Sequence, residues 1–368
     1  MTIGSLPHTR DGNTLALVMK EPYGVQLGIA PWNASLFLAL RSVITPIACG
    51  NTAVLKASEF SPGVHHFIGQ LLKEAGFPPG VLNIVQHKRE DAPQVLEVLI
   101  SHPAVRKVNF TGSTAVGKII AAKAATYAKP CILELGGKAP LIVFDDADLS
   151  AAAQAAVLGA FSHVSEGNSA HGQICMGTDT VIVHESVKKN LITKLCAAAE
   201  QFPTCWAVSD QQAIKTEGLV QEAVENGAEL VYGKLERNGA SLHPTILLGV
   251  DRTMRIFGEE TFGPTLAVLS FQSEEEALAL ANGHEYGLSA SVFTKNLARG
   301  LRVARTINSG AVHINSMTVH DEVQLPHGGV KSSGWGRFGV PWGKLLDEVQ
   351  ILHNPSNTWD SIRRVSAT

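Results

Sequence analysis

Charge is scarce in this chain, and so is everything that would mark a partner for nucleic acid or a lipid bilayer. Asp, Glu, Lys and Arg together make 17% of the 368 residues and the formal net charge is −3, so no electrostatic case exists for a polyanionic partner. There is no basic run, no aromatic RNA-binding signature and no zinc-finger spacing. The opening stretch, MTIGSLPHTRDGN, lacks an apolar secretory core. The most apolar region, Leu36 to Leu55, is broken by Arg41, Pro46 and Gly50, which excludes an uninterrupted membrane span. Cysteine is sparse: Cys49, Cys131, Cys175, Cys196 and Cys205 are odd in number and widely spaced. Free thiols in a reducing compartment, the cytoplasm, are the expectation rather than a disulfide framework. HExxH, CxxC, EF-hand and GxSxG patterns are missing, so no metal centre is expected, and no GxGxxG follows the early strands.

What is present is a large apolar fraction, 45%, in a chain longer than one core usually serves. Two domains are therefore expected. Strand-like and helix-like segments alternate. Thr52–Lys56 is short and β-rich. The stretch after it spaces Val64, Phe67, Ile68, Leu71 and Leu72 along a helical face, opened by Pro62 and closed by Gly76. Further strands are expected at Val81–Val85, Arg106–Phe110 and Cys131–Leu135, with a helix over Thr114–Ala125. A second series follows Pro140: helix Leu149–Phe161, strand Thr178–His184, helices Glu185–Gln201 and Gln211–Asn226, strand Thr265–Phe271, helix Glu274–Asn282, strand Ser289–Thr294, helix Leu297–Asn308 and strand Ala311–Asn315. Repeated strand–helix–strand units predict an α/β fold with parallel sheets covered by helices.

Several residues could carry chemistry. In HGQICMG, Cys175 sits among Gly172, Gln173 and Gly177, where backbone can approach closely and N–H groups can face an oxyanion. The other cysteines are read as packing residues, except Cys205, whose context gives no reading. Glu134 ends an apolar strand before Gly136–Gly137; a desolvated carboxylate is a good proton acceptor, or it pairs with a lysine such as Lys138. Asn33, in APWNAS, can donate to a developing oxyanion or bond its own loop backbone. In FTGSTAVGK, Gly112 permits a tight turn and Ser113 opens a helix, giving either a phosphate cradle or an ordinary cap. Lys56 and Glu59 leave a strand's carboxyl end, where ligands of open α/β sheets bind; a solvated charge pair is the alternative. GEETFGP carries Glu260 and Phe262 and, alone, reads as a surface loop.

The order and spacing of these pieces carry more than any one of them. PWN at 31–33, GNTAVLKASE at 50–59, FTGSTAVG at 110–117, ELGGKAP at 134–140, GQIC at 172–175, EETFGP at 259–264 and HGGVKSSGWG at 327–336 resemble, in sequence order, the NAD(P)-dependent aldehyde dehydrogenase superfamily from Tyr23 to Phe338. The resemblance implies a Rossmann-type cofactor domain over 1–138, an α/β catalytic domain over 139–325, and a return segment with an oligomerisation strand over 326–368. It implies Cys175 as nucleophile, Glu134 as base, Asn33 with the Cys175 N–H as oxyanion hole, and Ser113 at the cofactor phosphates. It places Lys56 and Glu59 at the adenosine ribose, and Glu260 and Phe262 at the nicotinamide ribose and ring. NAD is the implied cofactor on account of Glu59, with NADP still open, and a homo-oligomer is implied. APWNASLFLALR and the run from Ile314 to Gly339 look like the branch oxidising aromatic aldehydes, where Arg41 would meet a ring oxygen; otherwise Arg41 is a helix-surface residue paired with an acid.

Three departures set a competing expectation, an inactive relative, partner subunit or fragment. Members of the family carry a long stretch before the equivalent of Tyr23, and Met1–Val25 here reads as starting inside a hairpin. FSHVSEGNSAHGQ replaces a short connection before the cysteine. QFPTCWAVSDQQ replaces a longer segment between two helices.

Overall fold

A computed structural model describes residues 5–10, 13–162, 172–202, 204–339, 346–353 and 365–366. The chain forms two compact units. One comprises 1–111, 119–131 and 339–368; the other comprises 112–118 and 132–338.

In the first unit, Val25–Ile29 pairs in parallel with Val105–Thr111 on one side and Thr52–Lys56 on the other, and Leu82–Val85 extends the sheet beyond Thr52–Lys56. Helix Ser35–Ala48 connects the first two strands in sequence and turns Leu38, Ala39 and Val43 inward. Helix Pro62–Glu74 starts on its proline and buries His65, Ile68 and Leu72, the i, i+3, i+7 stripe of an amphipathic helix. These side chains close on Ala53 and Leu55 to form one core. Separately, Leu15–Pro22 runs antiparallel to Leu346–His353 through eight paired positions. Within Met1–Val25, read from the sequence as starting inside a hairpin, Val18 also forms an antiparallel bridge with Ser5.

The second unit is built on seven strands in the order Glu229–Tyr232, Thr245–Leu248, Thr265–Phe271, Thr178–His184, Ala139–Val143, Ser289–Phe293 and Ala311–Ile314. Every neighbouring pair is parallel except the first. Period-2 alternation splits each strand between two cores. Leu141, Val143, Val181 and Val183 face helices Leu149–Phe161 and Lys188–Ala199. Ile142, Ile182 and Val292 face helices Glu274–Ala281 and Leu297–Thr306. Both faces are covered, so the central strands read as continuous apolar runs.

Several expected bounds coincide with the observed ones, including Leu149–Phe161, Thr178–His184 and Thr265–Phe271. The helix expected over 185–201 opens with a 3₁₀ turn, Glu185–Val187, because His184 Nδ1 accepts the Ser186 N–H at 3.3 Å and caps the turn. Among the described residues, no helix is long and apolar enough to cross a membrane.

Candidate active site

In the first unit, Asn33 follows and Lys56 ends a parallel strand at its carboxyl end, the usual ligand edge of an open α/β sheet. In the second unit Gly112 and Ser113 follow the end of strand Val105–Thr111 and Glu134 ends its own strand, whereas Gly137 precedes Ala139–Val143, Cys175 precedes Thr178–His184, and Glu260 and Phe262 precede Thr265–Phe271.

Cys175 is half-buried and lies on a turn whose neighbours are held individually. Gln173 is fully buried; its Nε2 donates to Trp206 O at 2.9 Å and its Oε1 accepts from Val208 N at 2.9 Å. Met176 O accepts from Thr318 Oγ1 at 2.7 Å, and the Gly177 N–H closes the turn on Ile174 O at 2.8 Å. Holding the chain on both sides fixes the direction in which the Cys175 side chain leaves the backbone. Burial raises the thiols of Cys49 and Cys196, two of the three cysteines read as packing residues, and pushes Cys205, whose local sequence carries no reading, up to about 12. Residues 163–171, which hold most of the unusual insertion before Cys175, lie outside the described residues.

Glu134 is fully buried at the end of its strand, where it pairs with Gly334. The two glycines after it bring three segments together. A Cβ on Gly137 would overlap the carbonyl oxygen of Cys175, and one on Gly136 would lie 2.5 Å from a Glu260 carboxylate oxygen. Gly137 N–H donates to Glu260 Oε1 at 2.9 Å. Burial pushes the Glu260 carboxyl up to about 7 against the opposing pull of that N–H. Phe262 stands in the left-handed region at φ 50°, a conformation that a bulky residue holds only under constraint, here two hydrogen bonds from Gln212 Nε2 to Thr261 O and Phe262 O. GEETFGP is thus no free surface loop: Thr261 is 1% exposed. Lys138, offered by the sequence as a partner for Glu134, makes its buried ion pair with Asp179.

Gly112 N–H donates to Glu134 O at 3.1 Å, and Ser113 Oγ accepts the Val116 N–H at a long 3.5 Å, so Ser113 does act as a helix cap while staying exposed. In the first unit Asn33 is 8% exposed. Lys56 is buried, with Glu59 Oε2 3.9 Å from its Nζ, and burial lowers its pKa more than Glu59 raises it. A solvated pair would leave the lysine in water; this one does not. Arg41 Nη2 donates to Thr111 Oγ1 at 3.3 Å, and its guanidinium lies 5.7 Å from the Phe37 ring centre. A hydroxyl and a ring are thus among its contacts.

Residues outside the motifs complete the site. Thr318 and the segment around Trp206 hold the Cys175 turn, and Thr261 and Asp179 hold the Glu260 loop. Asp179 lies only four residues past the cysteine, but only folding brings Thr261 to it. QFPTCWAVSDQQ supplies the strand Cys205–Trp206, paired with Ser241–Leu242, that anchors Gln173.

The site thus has a half-buried thiol on a braced turn, a fully buried carboxylate at Glu134, and two glycines that bring the Glu260 loop and the Cys175 carbonyl together. The chain belongs to the aldehyde dehydrogenase family, oxidoreductases that act on the aldehyde group: the family model matches residues 4–347. It is 47% identical over 336 residues to vanillin dehydrogenase of Pseudomonas fluorescens, covering 89% of this chain and 68% of that protein. The crystal structure of a salicylaldehyde dehydrogenase from Pseudomonas putida G7, complexed with salicylaldehyde, superposes with a TM-score of 0.92 at 40% identity, covering 96% of this chain and 74% of that one. An NAD-dependent aldehyde dehydrogenase from Sinorhizobium meliloti superposes at 0.88 with 35% identity, covering 97% and 72%.

Proposed function

We propose that the protein oxidises an aromatic aldehyde, of the hydroxybenzaldehyde kind, to its carboxylic acid with NAD as oxidant. The observation that carries the reading is the contact of Gly137 with both Cys175 and Glu260, which ties the sulfur to the loop assigned to the nicotinamide end.

The residues fit a dinucleotide. Lys56 is a desolvated cation beside Glu59, suited to ribose hydroxyls, and the carboxylate of Glu59 disfavours an added 2′-phosphate. Glu260 would accept from the second ribose, Phe262 would pack near the ring, and Ser113 and Gly112 would face the phosphates. A bound nicotinamide supplies the hydride acceptor.

The chain's own residues do the rest. Cys175 thiolate adds to the aldehyde carbon, and the oxyanion is held by Asn33 and the Cys175 N–H; such a donor is worth about 3–4 kcal/mol in the barrier. Loss of hydride from the tetrahedral carbon leaves a thioester on Cys175. Glu134 takes a proton from water as that water attacks, the C–S bond breaks, and the acid departs. The covalent intermediate divides one difficult step into two easier ones.

Arg41 is assigned to a ring oxygen of the substrate. The vanillin and salicylaldehyde dehydrogenases among the relatives support the aromatic class. Turnover of salicylaldehyde, vanillin and hexanal by the purified protein tests it through NADH absorbance. Aromatic substrates are expected to lead in kcat/KM, and a clear preference for hexanal sinks the assignment.

A further inference from the structure

We propose that Lys138, Asp179 and Thr261 are positioning residues that lock the Glu260 loop to the Cys175 segment, an inference that rests on the roles proposed for Glu260 and Cys175. The observation is a closed ring of contacts. Gly137 N–H donates to Glu260 Oε1 at 2.9 Å. Glu260 is followed directly by Thr261, whose Oγ1 donates to Asp179 Oδ2 at 2.8 Å. Asp179 Oδ1 pairs with Lys138 Nζ, and Lys138 is the next residue after Gly137. Two peptide links and three polar contacts thus return to their starting point. Cys175 abuts the ring through its carbonyl, which lies where a Gly137 Cβ would be.

The members are buried. Lys138 is 1% exposed, Thr261 1% and Asp179 7%. A buried ion pair contributes little net stability, because desolvation offsets the attraction. Geometry is a better account of what this one does. The outer side of the Glu260 loop is held by helix Asp210–Glu225, through Gln212 and Thr216 on the Thr261 carbonyl and Lys215 Nζ on the Glu260 carbonyl at 2.9 Å. Thr261 Oγ1 ties the other side to the strand that begins three residues after Cys175. A shift of that loop would move Glu260 off Gly137, and Gly137 is what the sulfur's own carbonyl rests on. Misplacement of about 1 Å costs on the order of a hundredfold in rate.

The test uses the whole chain. Thr261→Val opens the ring at one hydroxyl and leaves the ion pair; Thr261→Ser keeps the hydroxyl. For Thr261→Val the expected result is an NADH Kd and a dinucleotide KM raised about tenfold, an aldehyde KM within about twofold, and a Tm within about 3 °C, with Thr261→Ser restoring wild-type binding. Unchanged NADH binding, or losses in both KM values that track a falling Tm, overturns the proposal. A Lys138→Met, Asp179→Leu double variant removes the charges while keeping apolar volume. In it, iodoacetamide alkylation of Cys175, followed by mass spectrometry without dinucleotide, is expected to change rate at least threefold. An unchanged rate overturns the proposal. Glu260→Gln separates the two levels: if it binds NADH as tightly as wild type, the role of Glu260 falls, while the alkylation result still decides the ring.

Discussion

At the scale of single residues the proposed chemistry depends on a sulfur and two carboxyl groups. Cys175→Ala is expected to abolish aldehyde-dependent NADH formation, by about 10³-fold or more, while NADH binding persists. Glu134→Gln is expected to separate the half-reactions: a stoichiometric burst of NADH survives, and steady-state turnover falls by about 10²–10⁴. Equal losses in burst and steady state would remove Glu134 from deacylation. Glu260 gives a pH dependence whose sign is fixed. Its carboxyl titrates at about 7 in the folded chain, above the ordinary value of 4.5, because burial disfavours the charge. The stability that this group contributes is therefore full below the ordinary value and is lost as pH rises through about 7. Thermal melts across that range should show Glu260→Gln gaining on wild type as pH increases. Over the same range wild-type NADH binding should tighten, since the carboxylate accepts ribose hydroxyls better than the acid does, and the glutamine variant should be flat.

At the scale of elements, backbone contact decides more than side chains do. Gly137 lies on the short link between strand Cys131–Glu134 and strand Ala139–Val143, pressed against the Cys175 carbonyl. A methyl there has backbone, not a flexible side chain, to displace. Gly137→Ala is expected to cost about a hundredfold in kcat, because the nucleophile's turn must move. Far-ultraviolet circular dichroism should stay at the wild-type spectrum while kcat falls; a variant with wild-type kcat would mean that the turn tolerates the shift. The strands themselves were legible. Thr178–His184 and Thr265–Phe271 announce themselves through the apolar stretches Val181–Val183 and Leu266–Leu269, because apolar side chains are needed on both faces of a parallel sheet. The two-residue strand Cys205–Trp206 was not legible. Its pairing with Ser241–Leu242 joins residues 35 and 37 positions apart (Trp206 with Ser241, Cys205 with Leu242) and leaves no local period to read.

At the scale of the whole molecule, apolar surface is exposed on two helices of the first unit. Leu36, Phe37 and Ile44 on Ser35–Ala48, and Val64, Phe67 and Leu71 on Pro62–Glu74, are 36–51% exposed. Uncovered area of this kind costs about 25 cal/mol per Å² relative to burial. The protein is expected to bind an apolar dye such as ANS, and Phe67→Glu with Leu71→Glu is expected to lower that fluorescence without moving Tm. Unaltered dye binding would show that the face is satisfied elsewhere.

The sequence by itself determined the order of elements, through periodicity, and the family, through motifs read along the chain, and that resemblance nominated Cys175, Glu134 and Glu260. The sequence could not say that Lys138 answers Asp179 rather than Glu134, that Phe262 is held in a left-handed conformation, or that Gly137, the Cys175 turn and the Glu260 loop meet before the strands of one sheet. Those were decided by tertiary structure. Each depends on contacts between segments far apart in the chain, and linear spacing does not encode the distance between two loops until the sheet beneath them has closed.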